Sequence, residues 1–202
     1  MTTKEPKTRI PQQKRGIETR NRILAAALDQ FAENGFHGTT AKQIAAEAGV
    51  SVGSFYSYFK DKKELFMELF REHSEALLVR ILSDYQFNPD DRKDSVYRLI
   101  KAMLAAHDPY PQFHREVQAM RYSDPEVEAL HDEIDQQCID HVERFIEQFR
   151  DKLRITDIKT AARIISIAVE DIIHSITIFD QDENANRLID GLTDMIHRYL
   201  FD

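Results

Sequence analysis

The chain has 202 residues, 42% of them hydrophobic, enough for a packed core in one domain or in a small head with a larger body. A single cysteine, Cys138, excludes an intrachain disulfide, and six glycines with six prolines favour helices over strands and loops. The N-terminus lacks an apolar signal core and the chain lacks an uninterrupted apolar run of about 18 residues, so a soluble cytoplasmic protein with no membrane partner is expected. The net charge of −8 is unevenly divided. Residues 1–62 carry ten Lys and Arg against six Asp and Glu, whereas residues 63–202 carry seventeen against twenty-nine. The N-terminal part attracts phosphate and the remainder repels it, an asymmetry that would orient the protein on a duplex.

Residues 1–15 read as a basic disordered arm. It contains Pro6 and Pro11 between Lys4, Lys7, Arg9, Lys14 and Arg15. Such arms can enter a neighbouring minor groove, and a solvated tail without ordered contacts fits the same residues. A first helix runs from about Gly16 to Asn34, with Ile23, Ala27, Leu28 and Phe31 at helical spacing. Gly35 stops it, and Phe36 closes back on its last turn.

Residues 36–65 carry the strongest local signal. Thr40 is an N-cap and Gln43 completes a capping box. Ile44, Ala45 and Ala48 form the apolar side of a short helix, with Lys42 and Glu47 outside. Gly49 sits where a left-handed residue must end that helix, Val50 fills the corner, and Ser51 caps the next helix. On a helical wheel Phe55, Phe59 and Val52 lie toward the core, Gly53, Ser54 and Ser57 lie opposite, and Tyr56 and Tyr58 flank them. Glycine and serine are weak helix formers, so that outer face suits close approach to a groove better than exposure to water. Asp61 and Glu64 form a further capping box that opens a long fourth helix, to about Asp84. This layout is a helix-turn-helix.

These residues carry a family resemblance. From Thr19 to Leu69, through ILAAALDQFAENGFHGTT and IAAEAGVSVGSFYSYFKDKKEL, the chain closely resembles the DNA-binding domain of the tetracycline-repressor (TetR/AcrR) family of transcriptional regulators. The resemblance implies an all-α fold of about nine helices. A helix-turn-helix head, residues 16–65, would be joined by the fourth helix to a helical ligand-binding and dimerisation domain, residues 66–202. It also implies a homodimer that binds double-stranded DNA, most often a repressor released from a palindromic operator by a small-molecule effector. Matched position by position, base-reading falls on Lys42, Val52, Gly53, Ser54 and Ser57, and phosphate contact on Thr40, Tyr56, Tyr58 and Lys62. Beyond residue 85 the resemblance implies architecture alone.

Further along, residues 86–92 are a turn-rich break, and a helix carrying Val96, Leu99, Ile100 and Leu104 follows to about His107. Two prolines in 107–111 interrupt it. A short helix then holds Phe113, Val117 and Met120, and another opens at Ser123-Asp124-Pro125 and continues to about Leu153. Residues 158–179 are apolar on most sides, so the helix they form needs cover on several faces, and the last helix carries a clean apolar stripe. A buried central helix in a monomer meets the first requirement. The family resemblance implies instead a four-helix bundle between two chains, built on Ile165, Val169, Ile172, Ile176, Leu188, Leu192, Met195 and Tyr199.

Chemical motifs are few. The sequence contains no glycine-rich phosphate loop, G-x-S-x-G, C-x-x-C or H-E-x-x-H, so neither an enzyme activity nor a cofactor is assigned. His131, Asp135 and Cys138 share one helical stripe near His141, a spacing that can serve a metal. A surface histidine, a solvated aspartate and a core cysteine explain the same residues, and no metal is assigned. An effector pocket is implied by the resemblance alone. Met103, His107, Phe113, Met120, Cys138 and His174 are the polar or polarisable candidates to line it, for an apolar or amphipathic molecule near His107, Phe113 and His174. Two functional classes remain open: a ligand-responsive dimeric DNA-binding regulator, and a helical protein-interaction module without DNA binding.

Overall fold

The computed structural model describes residues 14–83, 85–107, 110–178 and 184–201, without the side chains of 76–80, 82, 83, 107 and 178. The basic arm up to residue 13 and the side chains of Leu77, Leu78 and His107 lie outside the described residues. Among the described residues every regular element is helical. Nine α-helices follow in order: α1 Lys14–Gly38, α2 Ala41–Glu47, α3 Val52–Tyr58, α4 Lys62–Ser83, α5 Arg92–His107, α6 Pro111–Arg121, α7 Pro125–Glu147, α8 Ile158–Ile178 and α9 Ala185–Leu200. The all-α expectation therefore holds. No described helix is long and apolar enough to cross a membrane.

The chain divides into two compact units. The first holds Met1–His73 and Gln112–Leu130, and the second holds Ser74–Pro111 and His131–Asp202. This differs from a simple cut after residue 65, because the N-terminal unit also takes α6 and the start of α7. The reason is local to that unit. Phe113 of α6 is fully buried and stacks on Phe66, with ring centroids 5.3 Å apart, and Phe66 in turn meets Phe31 and Phe36 at 5.3 Å each. Burying a phenylalanine of this kind contributes roughly 1.5–3 kcal/mol. Lys63 of α4 reaches Asp124 and Glu126 at the start of α7, at 2.8 and 2.7 Å.

Helix α1 is kinked at Gly35, where φ is +69°, and continues irregularly to Gly38. The sequence stop is thus correctly placed, with one further turn beyond it. Arg20 ties α1 to α4 through Glu68 and Glu72. In the second unit, α5 packs against α8 and α9, and α8 packs against α9. Their core contains Ile100, Ala161, Ala162, Ile173, Ile189 and Leu192. Helix α7 ends at Glu147, earlier than the expected end near Leu153, and a 3-10 turn over Arg150–Lys152 follows. Phe145, Phe149 and Phe87 stack there, at 5.5 Å for Phe145–Phe149 and 4.3 Å for Phe87–Phe149. The aromatic periodicity thus marks a cluster at the end of α7 rather than more helix.

Candidate nucleic-acid interface

The site begins with two caps and a corner. Thr40 is extended, its hydroxyl accepts the Gln43 N–H at 3.3 Å, and Gln43 Oε1 accepts the Thr40 N–H at 2.9 Å. At the other end of α2, Gly49 has φ +65°. The Val50 N–H donates to Ala45 O at 2.9 Å and the Gly49 N–H to Ala46 O at 3.1 Å. This pair of reversed bonds is a Schellman close, which satisfies the last carbonyls and fixes the turn. Ser51 then caps α3 by accepting the Ser54 N–H at 3.0 Å. Ile44, Ala45, Ala48, Phe55 and Phe59 are buried beneath the pair. Phe59 is extended and caps α3 rather than belonging to it.

The outer face of α3 follows. Val52 is 40% exposed and Tyr56 46% exposed. Val52 thus corrects its wheel position: at the first turn it stands clear of the core that Phe55 and Phe59 enter. Gly53 and Ser57 are exposed, while Ser54 and Tyr58 are half-buried. On α2, Lys42 is exposed, beside exposed Thr40. The Ser57 hydroxyl donates to Ser54 O at 2.6 Å. A Cβ at Gly53 would meet only Ser51 Oγ, at 4.0 Å. Neither φ nor internal packing requires glycine there.

Lys62 has a structural task that sequence reasoning missed. Its ammonium donates to the carbonyls of Phe36 and Thr39, at 2.6 and 2.8 Å, and lies 4.4 Å from the centre of the Phe36 ring. Two of its three N–H donors are thereby used. Burial pushes its pKa down, against the opposing pull of the Glu116 carboxylate. Glu116 itself accepts the Phe36 N–H at 2.6 Å, and Thr39 Oγ1 donates to the carbonyls of Gln30 and Gly35 at 2.9 and 2.8 Å. The irregular end of α1 is thus held from α4 by Lys62 and from α6 by Glu116. No sequence signal links Glu116 to Phe36, because they are 80 positions apart.

The remaining candidates separate. Phe113 and Met120 are buried in the first unit, whereas Met103, Cys138 and His174 belong to the second. Phe113 is committed to the aromatic core around Phe66. Met103 packs against the core of the second unit. His131 is buried at 3% exposure and Cys138 is exposed, the reverse of a surface histidine and a core cysteine. Of the eight interface candidates, Ile165, Val169, Ile176 and Leu192 are buried within this chain's own core. Ile172, Leu188 and Tyr199 are only partly buried against it. Met195 stands 47% exposed, with Ile164 at 47% and Ile167 at 49%, two residues that the sequence reading passed over. An open acidic groove between α5 and α9, about 360 Å³, is lined by Asp91, Lys93, Asp94, Tyr97, Asp190 and Thr193.

A capped helix pair closed by a left-handed glycine, with its second helix half-bare, defines a helix-turn-helix protein. Comparison with known proteins narrows the class. Residues 23–69 match the model of bacterial regulatory proteins of the tetR family, and residues 93–200 match a tetracyclin repressor-like C-terminal domain. The chain is 31% identical over 93 residues to the HTH-type transcriptional regulator YdgC of Bacillus subtilis, covering 45% of this chain and 48% of that protein. It is 39% identical over 62 residues to the fatty acid metabolism regulator protein of B. subtilis, covering 31% and 32%. These matches span about half or less of the relatives' length. A transcriptional regulator from Saccharomonospora viridis, solved in complex with choline, superimposes with a TM-score of 0.74 at 19% identity, covering 92% of this chain and 99% of that one. The chain belongs to the TetR family of transcriptional regulators.

Proposed function

We propose that the head binds an operator in double-stranded DNA and that the protein is a repressor released by a small-molecule effector. The observation that carries the DNA reading is the bare face of α3: Val52, Gly53, Ser57 and Tyr56 stand outward while Phe55 and Phe59 anchor the helix from behind. Base-edge contact is assigned to Lys42, Val52, Gly53, Ser54 and Ser57, and phosphate contact to Tyr56 and Tyr58. Thr40 and Lys62 act mainly as cap and strut. The positive balance of residues 1–62 supports the same orientation.

Operator release requires two chains and a moving part. The dimer face is assigned to Ile164 and Ile167 of α8 with Leu188, Met195 and Tyr199 of α9. Helices α4 and α7 each run from one compact unit into the other, so a ligand that favours one setting of either helix would alter the spacing of two recognition helices. A structural neighbour solved with choline supports a small-molecule effector for this chain. Selection from random duplexes is the test. A palindromic consensus is expected, with half-sites about one helical turn or more apart. Lys42→Ala should change the preferred bases, and Tyr56→Ala should weaken binding to all sequences. Unchanged affinity in a Lys42→Ala, Tyr56→Ala, Tyr58→Ala variant would rule the reading out.

A further inference from the structure

The helix assigned to the groove carries no side chain of the kind that reads a purine. From Val52 to Tyr58 the sequence is VGSFYSY, without Arg, Lys, Asn, Gln, Asp or Glu. Bidentate contacts to guanine come from Arg or Lys, and those to adenine from Asn or Gln. The hydroxyls that remain discriminate weakly, because a hydroxyl can either donate or accept. Ser57 Oγ is moreover turned onto its own helix, donating to Ser54 O at 2.6 Å, and Ser54 is half-buried. Phe55 is fully buried behind the face.

What α3 does present is an isopropyl group. Val52 is exposed and is the first residue of the helix. It follows the Ser51 cap, which accepts the Ser54 N–H at 3.0 Å, and the corner in which the Val50 N–H donates to Ala45 O at 2.9 Å. Both contacts fix the backbone that carries Val52. A β-branched side chain has few χ1 rotamers, so little freedom is left to lose on contact. Beside it, Gly53 has neither a positive φ nor a neighbour closer than 4.0 Å to a Cβ built on it. Glycine there lets the backbone of α3 come close to a groove floor, which a side chain as short as valine needs in order to touch a base. In water an exposed valine gains nothing. Against a major groove it meets the apolar group that a base pair displays there, the C5-methyl of thymine.

We infer that Val52 reads the C5-methyl group of a thymine in each operator half-site, so that α3 selects its base by apolar contact and not by paired hydrogen bonds. The inference rests on the operator reading above and adds the chemistry by which one base is chosen. Cytosine, which lacks the methyl, is disfavoured at that position, and 5-methylcytosine regains the contact.

Full-length protein is first used to select a duplex from random sequences. Each thymine of that duplex is then replaced singly by deoxyuridine, which removes the methyl and keeps every hydrogen-bonding group. One thymine per half-site is expected at which the replacement weakens wild-type binding about fourfold, the effect of one buried methyl. In Val52→Ala the selected duplex should bind more weakly, and thymine and deoxyuridine at that position should bind alike. With cytosine placed there, adding its 5-methyl group should tighten wild-type binding and leave Val52→Ala unaffected. The slope of affinity against salt should be the same in both proteins, since no phosphate contact is lost. Val52 lies outside the core, so Val52→Ala should melt at the wild-type temperature, which circular dichroism checks. Sequence-selective binding in which no deoxyuridine replacement matters, or in which Val52→Ala keeps the full sensitivity to the methyl, would overturn the inference and leave the operator reading standing. Failure to select any duplex would overturn both.

Discussion

At the residue scale, two helical glycines lack an internal reason. A Cβ at Gly53 would have one neighbour at 4.0 Å, and one at Gly191 would have none within 4 Å. Neither has positive φ, unlike Gly35 and Gly49. Glycine within a helix costs up to about 1 kcal/mol relative to alanine, so each weakens its own helix for something outside the chain. Gly53 lies on the bare face of α3, and Gly191 lies between Leu188 and Met195 on the outer side of α9. Gly53→Ala should raise the thermal stability of the head while lowering operator affinity, measured by melting and by gel shift on the same preparation. A gain in both would remove the argument for close approach at α3. Lys62 separates two roles in a similar way. Lys62→Met should cost roughly 1–2 kcal/mol of stability, because two carbonyls lose a charged donor. It should leave the salt dependence of DNA binding nearly intact, whereas loss of a direct phosphate contact reduces that slope by about one.

At the element scale, α6 belongs with the head because of two side chains. Phe113 fills its aromatic core and Glu116 holds the Phe36 N–H. Glu116→Ala should leave that N–H without its acceptor, destabilise the end of α1 by about 1–3 kcal/mol, and speed amide exchange at Phe36 more than at Phe55. Equal exchange at both would make the contact incidental. The opening of α7 carries a pH signature. Asp124 accepts the N–H groups of Glu126 and Val127 at 2.9 and 3.3 Å. The hydrogen bond from Lys63, then those two N–H groups, hold its pKa below the usual 3.8. A carboxylate depressed in the folded state contributes stability that is present above its unfolded pKa and lost as pH falls through the folded value. The head should therefore lose stability below about pH 3.8, and Asp124→Asn should flatten that fall while lowering stability at neutral pH by about 1 kcal/mol. Acid melts of both proteins check this.

At the scale of the whole molecule, the proposed dimer depends on which side of α8 would face a second chain. A core-facing charge such as Ile176→Glu would unfold the second unit whatever the oligomeric state, since Ile176 is already buried within the chain. Ile164→Glu with Ile167→Glu leaves that core untouched. The double variant should sediment as a monomer with a normal melting curve and lose most of its operator affinity, because two tethered heads bind far more tightly than one. A stable dimer in the double variant would place the interface elsewhere.

What the sequence determined by itself is what local rules control. Caps at Thr40 and Ser51, the left-handed Gly49 and the buried positions of Phe55 and Phe59 are set by residues a few places apart, so the helix-turn-helix and the all-helical fold were legible before any coordinates. The tertiary structure decided everything that depends on distant partners. Lys62 looks like a free cation until Phe36 and Thr39 present their carbonyls to it. Phe113 meets Phe66, far away in sequence, in a buried aromatic core that no local pattern announces. His131 and Cys138 exchange their expected places because a helical wheel gives the angle between side chains but not which side will be covered. Ile165 and Ile167 are both apolar on the same helix, and only the packing of α5 and α9 buries the first and leaves the second at the surface.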